Sequence, residues 1–343
     1  MKRIGILCAG ADSPGLNASI RAIARKAFDE NMDVLGIRDG FMGLMEDAVI
    51  PMTKNHVSGI LPLGGSILGV SRVNPFEVEG AQIKIKDNIK KHQITSLVVL
   101  GTLDALISTI KLNEQFDIPS VFIPASIDND IKETDFSIGF DSAISSVMHS
   151  LDTLHATASA HHRVMVVEVM GFKTGWLAAL GGLVGGADFI LINENPHTFE
   201  DLMKNINKRY EEGKKFSIIV VSEHYKMHEL DSINKDLKEK LGEKYKNFKF
   251  SIGHLLEYLI SEKGYATRLT SLGYTQRGGN PTAFDRYLAT KLGIKAVNLI
   301  KEGKVNHMVG FKGGEIKCTP YSPEIMEPRY VPEDLQRDIE LFF

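Results

Sequence analysis

The sequence predicts an α/β fold of two parallel-sheet domains. Short β-branched runs alternate with longer stretches of helical period, and the runs are apolar nearly throughout rather than at every second residue. Strands of that kind, separated by helices, belong to parallel sheets covered on both faces. Glycine-rich turns follow several of them. In order, strands are expected at Ile4–Cys8, Val34–Ile37, Ser96–Leu100, Ser120–Ile123, Val164–Val169, Phe189–Ile192 and Phe216–Val221. Helical periodicity falls near 17–30, 79–91, 104–116, 140–160, 173–184 and 199–212. The run 229–263 is lysine-rich and then apolar, and reads as two helices joined near 242–249. Residues 283–302 form another amphipathic helix. No internal repeat or low-complexity tract is present, and no compositional break marks a linker.

A chain of 343 residues suggests two domains. Its net charge of −3 excludes the strongly basic character of nucleic-acid and membrane-surface binders. Two cysteines, Cys8 and Cys318, make no disulfide framework and suit a reducing cytoplasm. Met1-Lys2-Arg3 and the apolar run after it imitate a signal peptide, but Gly10 and Asp12 break the run. A soluble cytoplasmic protein is expected, since no apolar stretch reaches the length of a membrane span.

The chemistry concentrates at strand ends. Ala125-Ser126-Ile127-Asp128-Asn129-Asp130 follows an apolar strand and sets two carboxylates where open α/β sheets collect ligands. Alone, such a cluster is more often an Asx turn. Three turns accompany it: Gly10-Ala11-Asp12-Ser13-Pro14-Gly15, Gly64–Arg72 and Gly101-Thr102-Leu103-Asp104. Backbone N–H groups of such turns suit phosphate, although each taken singly is equally a tight turn. The first is no Walker loop, because no Gly-Lys-Ser/Thr closes it. Arg72, Arg163, Arg268 and Arg277 stand beside turns or strand ends, and guanidinium forks match phosphate. Taken singly, each is more often a surface ion pair.

With these blocks together the chain resembles the 6-phosphofructokinases over nearly its whole length. The matching segments are 10–17, 64–72, 101–106, 125–131, 166–178, 222–224 and 272–281. The resemblance implies two Rossmann-like domains: 1–139 plus about 276–326, larger and donor-binding, and about 140–275 plus 327–343, smaller and sugar-phosphate-binding. It implies transfer of a phosphoryl group to the 1-hydroxyl of fructose 6-phosphate, from ATP or pyrophosphate with Mg2+, giving fructose 1,6-bisphosphate. Asp128 would be the general base, Asp130 would help hold magnesium, and Arg72 would clamp the donor. Ser126, Met170, Gly171, Glu223, Tyr274 and Arg277 would line the sugar phosphate site. Arg163 and Arg268 would come from a neighbouring subunit, which makes a homo-oligomer of two or four chains. Gly10, Ala11, Gly101 and Asp104 belong to the donor turns, with Asp104 a second candidate for the metal. Arg21 and Arg25, with Lys214 and Lys215, match basic residues of an effector site.

Four departures from the family pattern fall on the donor side. Ala11 replaces a second glycine. Leu103 stands in the slot of a magnesium carboxylate, where Asp104 could serve only if the turn re-registered. Ala125 stands where ATP users have glycine and pyrophosphate users lysine, and Phe172 replaces an arginine beside Lys173. Two readings follow: a phosphotransferase with altered donor use, or a weakly catalytic, sugar phosphate-binding paralogue serving as a regulatory or assembly subunit. Other candidates fall away. His224 and His228 lack the His-Glu-x-x-His order of a zinc helix. His155, His161 and His162 sit late in a helix, and Gly181–Gly186 follows a helix and so reads as close packing. On the sequence alone, Leu103→Asp with Phe172→Arg is expected to raise turnover by orders of magnitude in a kinase assay.

Overall fold

Strands without a polar face need cover on both sides, and the two sheets obtain it separately. The computed structural model describes residues 2–227 and 250–341. The chain divides into two units, Met1–Ser142 with Arg277–Arg329, and Ala143–Gln276 with Tyr330–Phe343. The strands are β1 Arg3–Ala9, β2 Asp33–Ile37, β3 Val49–Pro51, β4 Ser96–Gly101, β5 Ser120–Pro124, β6 Val164–Val169, β7 Phe189–Leu191, β8 Ser217–Ser222, β9 Thr267–Ser271, β10 His307–Lys312 and β11 Glu315–Pro320.

The first unit holds a seven-stranded sheet in the order β11-β10-β5-β4-β1-β2-β3. From β10 to β2 the pairing is parallel. The expected parallel sheet carries one antiparallel strand at each edge. The reason at one edge is loop length. Gly313-Gly314, at φ 61° and 80°, makes a hairpin between β10 and β11, and two residues cannot hold a parallel crossover. Alternate residues of the central strands feed two cores. Ile4, Ile6, Val98, Leu100, Val121 and Ile123 face one, with helix α1 (Leu16–Asp29) and the helix Ala283–Lys301. Leu7, Leu97, Val99 and Phe122 face the other, with the helices Ala81–Lys91 and Leu103–Phe116.

The second unit holds four parallel strands in the order β7-β8-β6-β9. One face packs on the helices Phe199–Glu211 and Ile252–Glu262. The other takes the helix Trp176–Val184, where a Cβ on Gly182 would come within 2.8 Å of Ile190 and 3.4 Å of Val220. The glycine run is therefore a packing device, as its position after a helix implied. The seven expected strands all form, with ends shifted by a residue or two. Elements that the pattern missed are β3, β9, β10, β11 and the helices Gly40–Met45 and Glu333–Glu340. Of the two helices expected in 229–263, the second is Ile252–Glu262 and the first lies outside the described residues.

Asp285 joins the first unit's late helix to the segment leading into helix Phe140–His161. Its carboxylate accepts from Gly139 N and Ser142 N, both at 2.8 Å, and from Ser142 Oγ at 2.6 Å. Burial outweighs these donors and lifts the carboxyl from 3.8 to about 6. The folded chain thus holds this proton more tightly than the unfolded one. The stabilisation is full below about pH 4 and is lost as pH rises through about 6, worth on the order of 3 kcal/mol. Urea unfolding across that window should show this fall in the wild type and a flatter profile in Asp285→Asn.

Candidate active site

In the first unit β5, β4 and β1 are neighbours, and their parallel ladder continues past the strand ends. Ala9 stands opposite Gly101, and Gly101 opposite Pro124. Ala125 N then donates to Gly101 O at 2.8 Å, and Gly10 N donates to Ser71 O at 2.7 Å. The turns carrying Gly10, Gly101, Asp128 and Arg72 therefore share one carboxyl edge, where ligands of α/β sheets gather. Gly10 has φ 99°, and a Cβ there would lie 2.3 Å from Thr102 Oγ1, so only glycine fits. The 64–72 turn is held by Asn17, whose amide donates to Leu63 O and Gly64 O while its Oδ1 accepts from Ile67 N. Cys8 lies beneath it, and burial pushes its thiol up to about 12, so it offers no nucleophile.

Ser126 Oγ accepts from Asp128 N at 3.1 Å, which makes an ST turn, and lies 3.4 Å from Asp128 Oδ2. Asp128 is half-buried, while Ser126 and Asp130 are buried. Asn129 between the carboxylates is left-handed, at φ 52°. Its side chain donates to Asp135 O and accepts from Ser137 N. Arg329 holds the same turn from outside: its backbone N donates to Asp130 O at 2.7 Å, and its guanidinium donates to Asn129 O and Asp135 O. Burial pulls this guanidinium down to about 10, against the opposing charges of Asp135 and Asp130. No sequence signal marked Arg329.

The second unit repeats the plan, with β8, β6 and β9 adjacent. After β6 come Met170, Gly171 and Phe172; after β8, Glu223 and His224; after β9, the 3-10 turn Gly273–Gln276 that carries Tyr274. Gly171 N donates to Glu223 Oε1 at 3.4 Å, and His224 Nδ1 lies 3.0 Å from Gly171 O. Met170 N donates to Gln276 Oε1 at 3.2 Å. Phe172 and Tyr274 are exposed, Phe172 meets His224 edge-on at 5.2 Å, and Lys173 Nζ stands 6.0 Å from the Phe172 ring.

Two other expected arginines lie apart from these edges. Arg163 precedes β6 and Arg268 pairs in register with Met165, so both sit near the starts of their strands. Arg277 is buried in the first unit and pairs with Asp12 of the first turn. Leu103 is 2% exposed within the apolar core, and Asp104 is exposed in the first turn of its helix, so the turn has not re-registered. Among the described residues no group of three His, Cys, Asp or Glu could hold a metal ion, and His228 lies outside them. Arg21 is half-buried and Arg25 exposed on α1; Lys214 and Lys215 are exposed in the second unit.

A family model described as phosphofructokinase matches residues 3–300. The chain belongs to the phosphofructokinase family. The resemblance read from the motifs is thereby borne out. A pyrophosphate–fructose 6-phosphate 1-phosphotransferase of Streptomyces coelicolor is 38% identical over 99% of both chains. An ATP-dependent 6-phosphofructokinase of Halothermothrix orenii is 36% identical over 98% of both. Among solved structures, the T-state phosphofructokinase of Pichia pastoris has a TM-score of 0.82 at 28% identity, covering 99% of this chain and 36% of that one. A pyrophosphate-dependent phosphofructokinase of Nitrosospira multiformis reaches 0.84 at 19% identity over 98% of this chain and 90% of its own, a likeness of fold alone.

For this phosphofructokinase the buried Leu103 revises the restoration expected from sequence. Its Asp variant sets a carboxylate in the apolar core, which costs several kcal/mol unless a cation reaches it. Phe172→Arg changes an exposed side chain and should shift stability by no more than about 0.5 kcal/mol. Thermal unfolding should therefore separate the two, with a marked fall for Leu103→Asp and little change for Phe172→Arg.

Proposed function

We propose that this phosphofructokinase transfers a phosphoryl group to the 1-hydroxyl of fructose 6-phosphate, giving fructose 1,6-bisphosphate in glycolysis. The observation that carries the reading is the Asp128-Asn129-Asp130 turn at the edge of β5, beside the β4 and β1 turns. Asp128 takes the hydroxyl proton while that oxygen attacks the donor's terminal phosphorus. The bond to the leaving group breaks, and ADP or phosphate departs. Ser126 Oγ accepts from Asp128 N and reaches its Oδ2 at 3.4 Å, which ties the residue to the turn.

Magnesium takes oxygen ligands and only one or two carboxylates where phosphates complete the shell. Asp130, after β5, fits it in kind and would hold it, whereas Asp104 would need the turn to shift by one residue. Bound there, it would neutralise phosphate charge. Arg72, exposed after the bridge that pairs Ala9 with Ser71, clamps donor phosphates alongside Gly10, Ala11 and Gly101. In the second unit Met170, Gly171, Glu223 and Tyr274 bind the sugar phosphate. Arg163 and Arg268 serve a neighbouring copy in a homo-oligomer of two or four chains. Arg21, Arg25, Lys214 and Lys215 form effector contacts. Among the described residues no helix is long and apolar enough to cross a membrane, in keeping with a cytoplasmic setting.

The second reading, a sugar phosphate-binding subunit with weak catalysis, is favoured by the buried Leu103 and the uncharged Phe172. The discriminating experiment measures fructose 1,6-bisphosphate formation with magnesium and either ATP or pyrophosphate. Turnover with one donor names that donor, and Asp128→Asn should then lose about 10²–10⁴-fold in kcat. No turnover with either, in folded protein that still binds fructose 6-phosphate, selects the second reading.

A further inference from the structure

We infer that Arg329 is a positioning residue for the reaction, setting the Asp128-Asn129-Asp130 turn in its working shape. The inference rests on the proposed function, which makes that turn the catalytic one. Asn129 is the residue to hold. It is not glycine, yet it sits at φ 52°, a conformation that persists only where surroundings over-determine it. Its side chain supplies two restraints, to Asp135 O and from Ser137 N.

Arg329 supplies the rest. Its Nε and Nη2 both donate to Asn129 O, at 3.3 and 3.1 Å, and Nη2 also reaches Asp135 O at 2.9 Å. Its main chain donates to Asp130 O at 2.7 Å, and Pro328 makes an antiparallel bridge with Ile131. One side chain thus ties the carbonyl between the two carboxylates to the far end of the same loop. A planar fork with several fixed donors can do this, whereas a flexible ammonium serves fewer acceptors at once. The guanidinium contacts the loop's main-chain oxygens, so it acts on the carboxylates through the backbone that carries them. Misplacement of a reacting group by about 1 Å can cost on the order of 10²-fold in rate.

The test compares Arg329→Ala and Arg329→Lys with the wild type in the full chain, by steady-state kinetics and by hydrogen exchange over residues 126–137. In Arg329→Ala the expected result is a fall in kcat of about 10²-fold. The KM for fructose 6-phosphate should rise far less than kcat falls, because, of the residues expected to line the sugar phosphate site, Ser126 alone lies in the loosened loop. Exchange protection should be lost over 126–137 only. Arg329→Lys should recover part of both, and it is the variant to read if the alanine form does not fold. Unchanged kcat with unchanged exchange overturns the inference. So does a rise in KM matching the fall in kcat, or protection lost throughout the chain, since either marks a general structural role. If the folded wild type itself lacks turnover, the proposed function fails. Exchange over 126–137 then decides Arg329 by itself, and unchanged protection overturns it.

Discussion

The parallel ladder of β5, β4 and β1 outlasts the strands it builds, and everything functional in the first unit hangs on that continuation. Bonds from Ala125 to Gly101 and from Gly10 to Ser71 carry backbone pairing into the turns. Turns that would otherwise wander are then spaced by the strand separation of roughly 5 Å. Close approach has a side-chain cost. Gly10 faces Thr102 so tightly that no Cβ is admissible, and a Cβ on Gly101 would lie 2.4 Å from Ala9 O. Leu103, next along the β4 turn, lies in the apolar core.

The two units solve one problem with different chemistry. In the first, the strand ends carry carboxylates and backbone N–H groups, anchored by polar side chains such as Asn17, Asn129 and Arg329. In the second, consecutive residues Ser222, Glu223 and His224 hold both sides of Gly171, and the exposed groups are largely aromatic. Phe172 lies against His224 where the family pattern calls for a guanidinium. The phenylalanine carries no charge and keeps a packed turn.

Most of this was legible in the residues because the central strands are apolar throughout and the turns after them are glycine-marked. β9 was missed because Thr267-Arg268-Leu269-Thr270-Ser271 is a half-exposed edge with no apolar run. β3 has only three residues, and β10 and β11 form a hairpin whose outer strand is mostly uncovered. The division between the units left no mark in composition for a different reason. It falls within helix Phe140–His161, so there is no linker whose composition could betray it. In the site, Asp128 and Asp130 announced themselves by following a strand. Arg329 did not, because it works on main-chain carbonyls, which leave no pattern of side chains to match.

Arg329 is also separated from Asn129 by 200 residues. At roughly 5–20 residues per second, translation reaches it on the order of 10–40 s after the loop it grips. Throughout that interval β5 and its acidic turn exist on the ribosome without their clasp, and β10 and the late helix of the first unit are likewise still to come. The first unit cannot close before nearly all of the second has been made. For tens of seconds, then, five of the seven strands stand without the late helix that covers one of their faces.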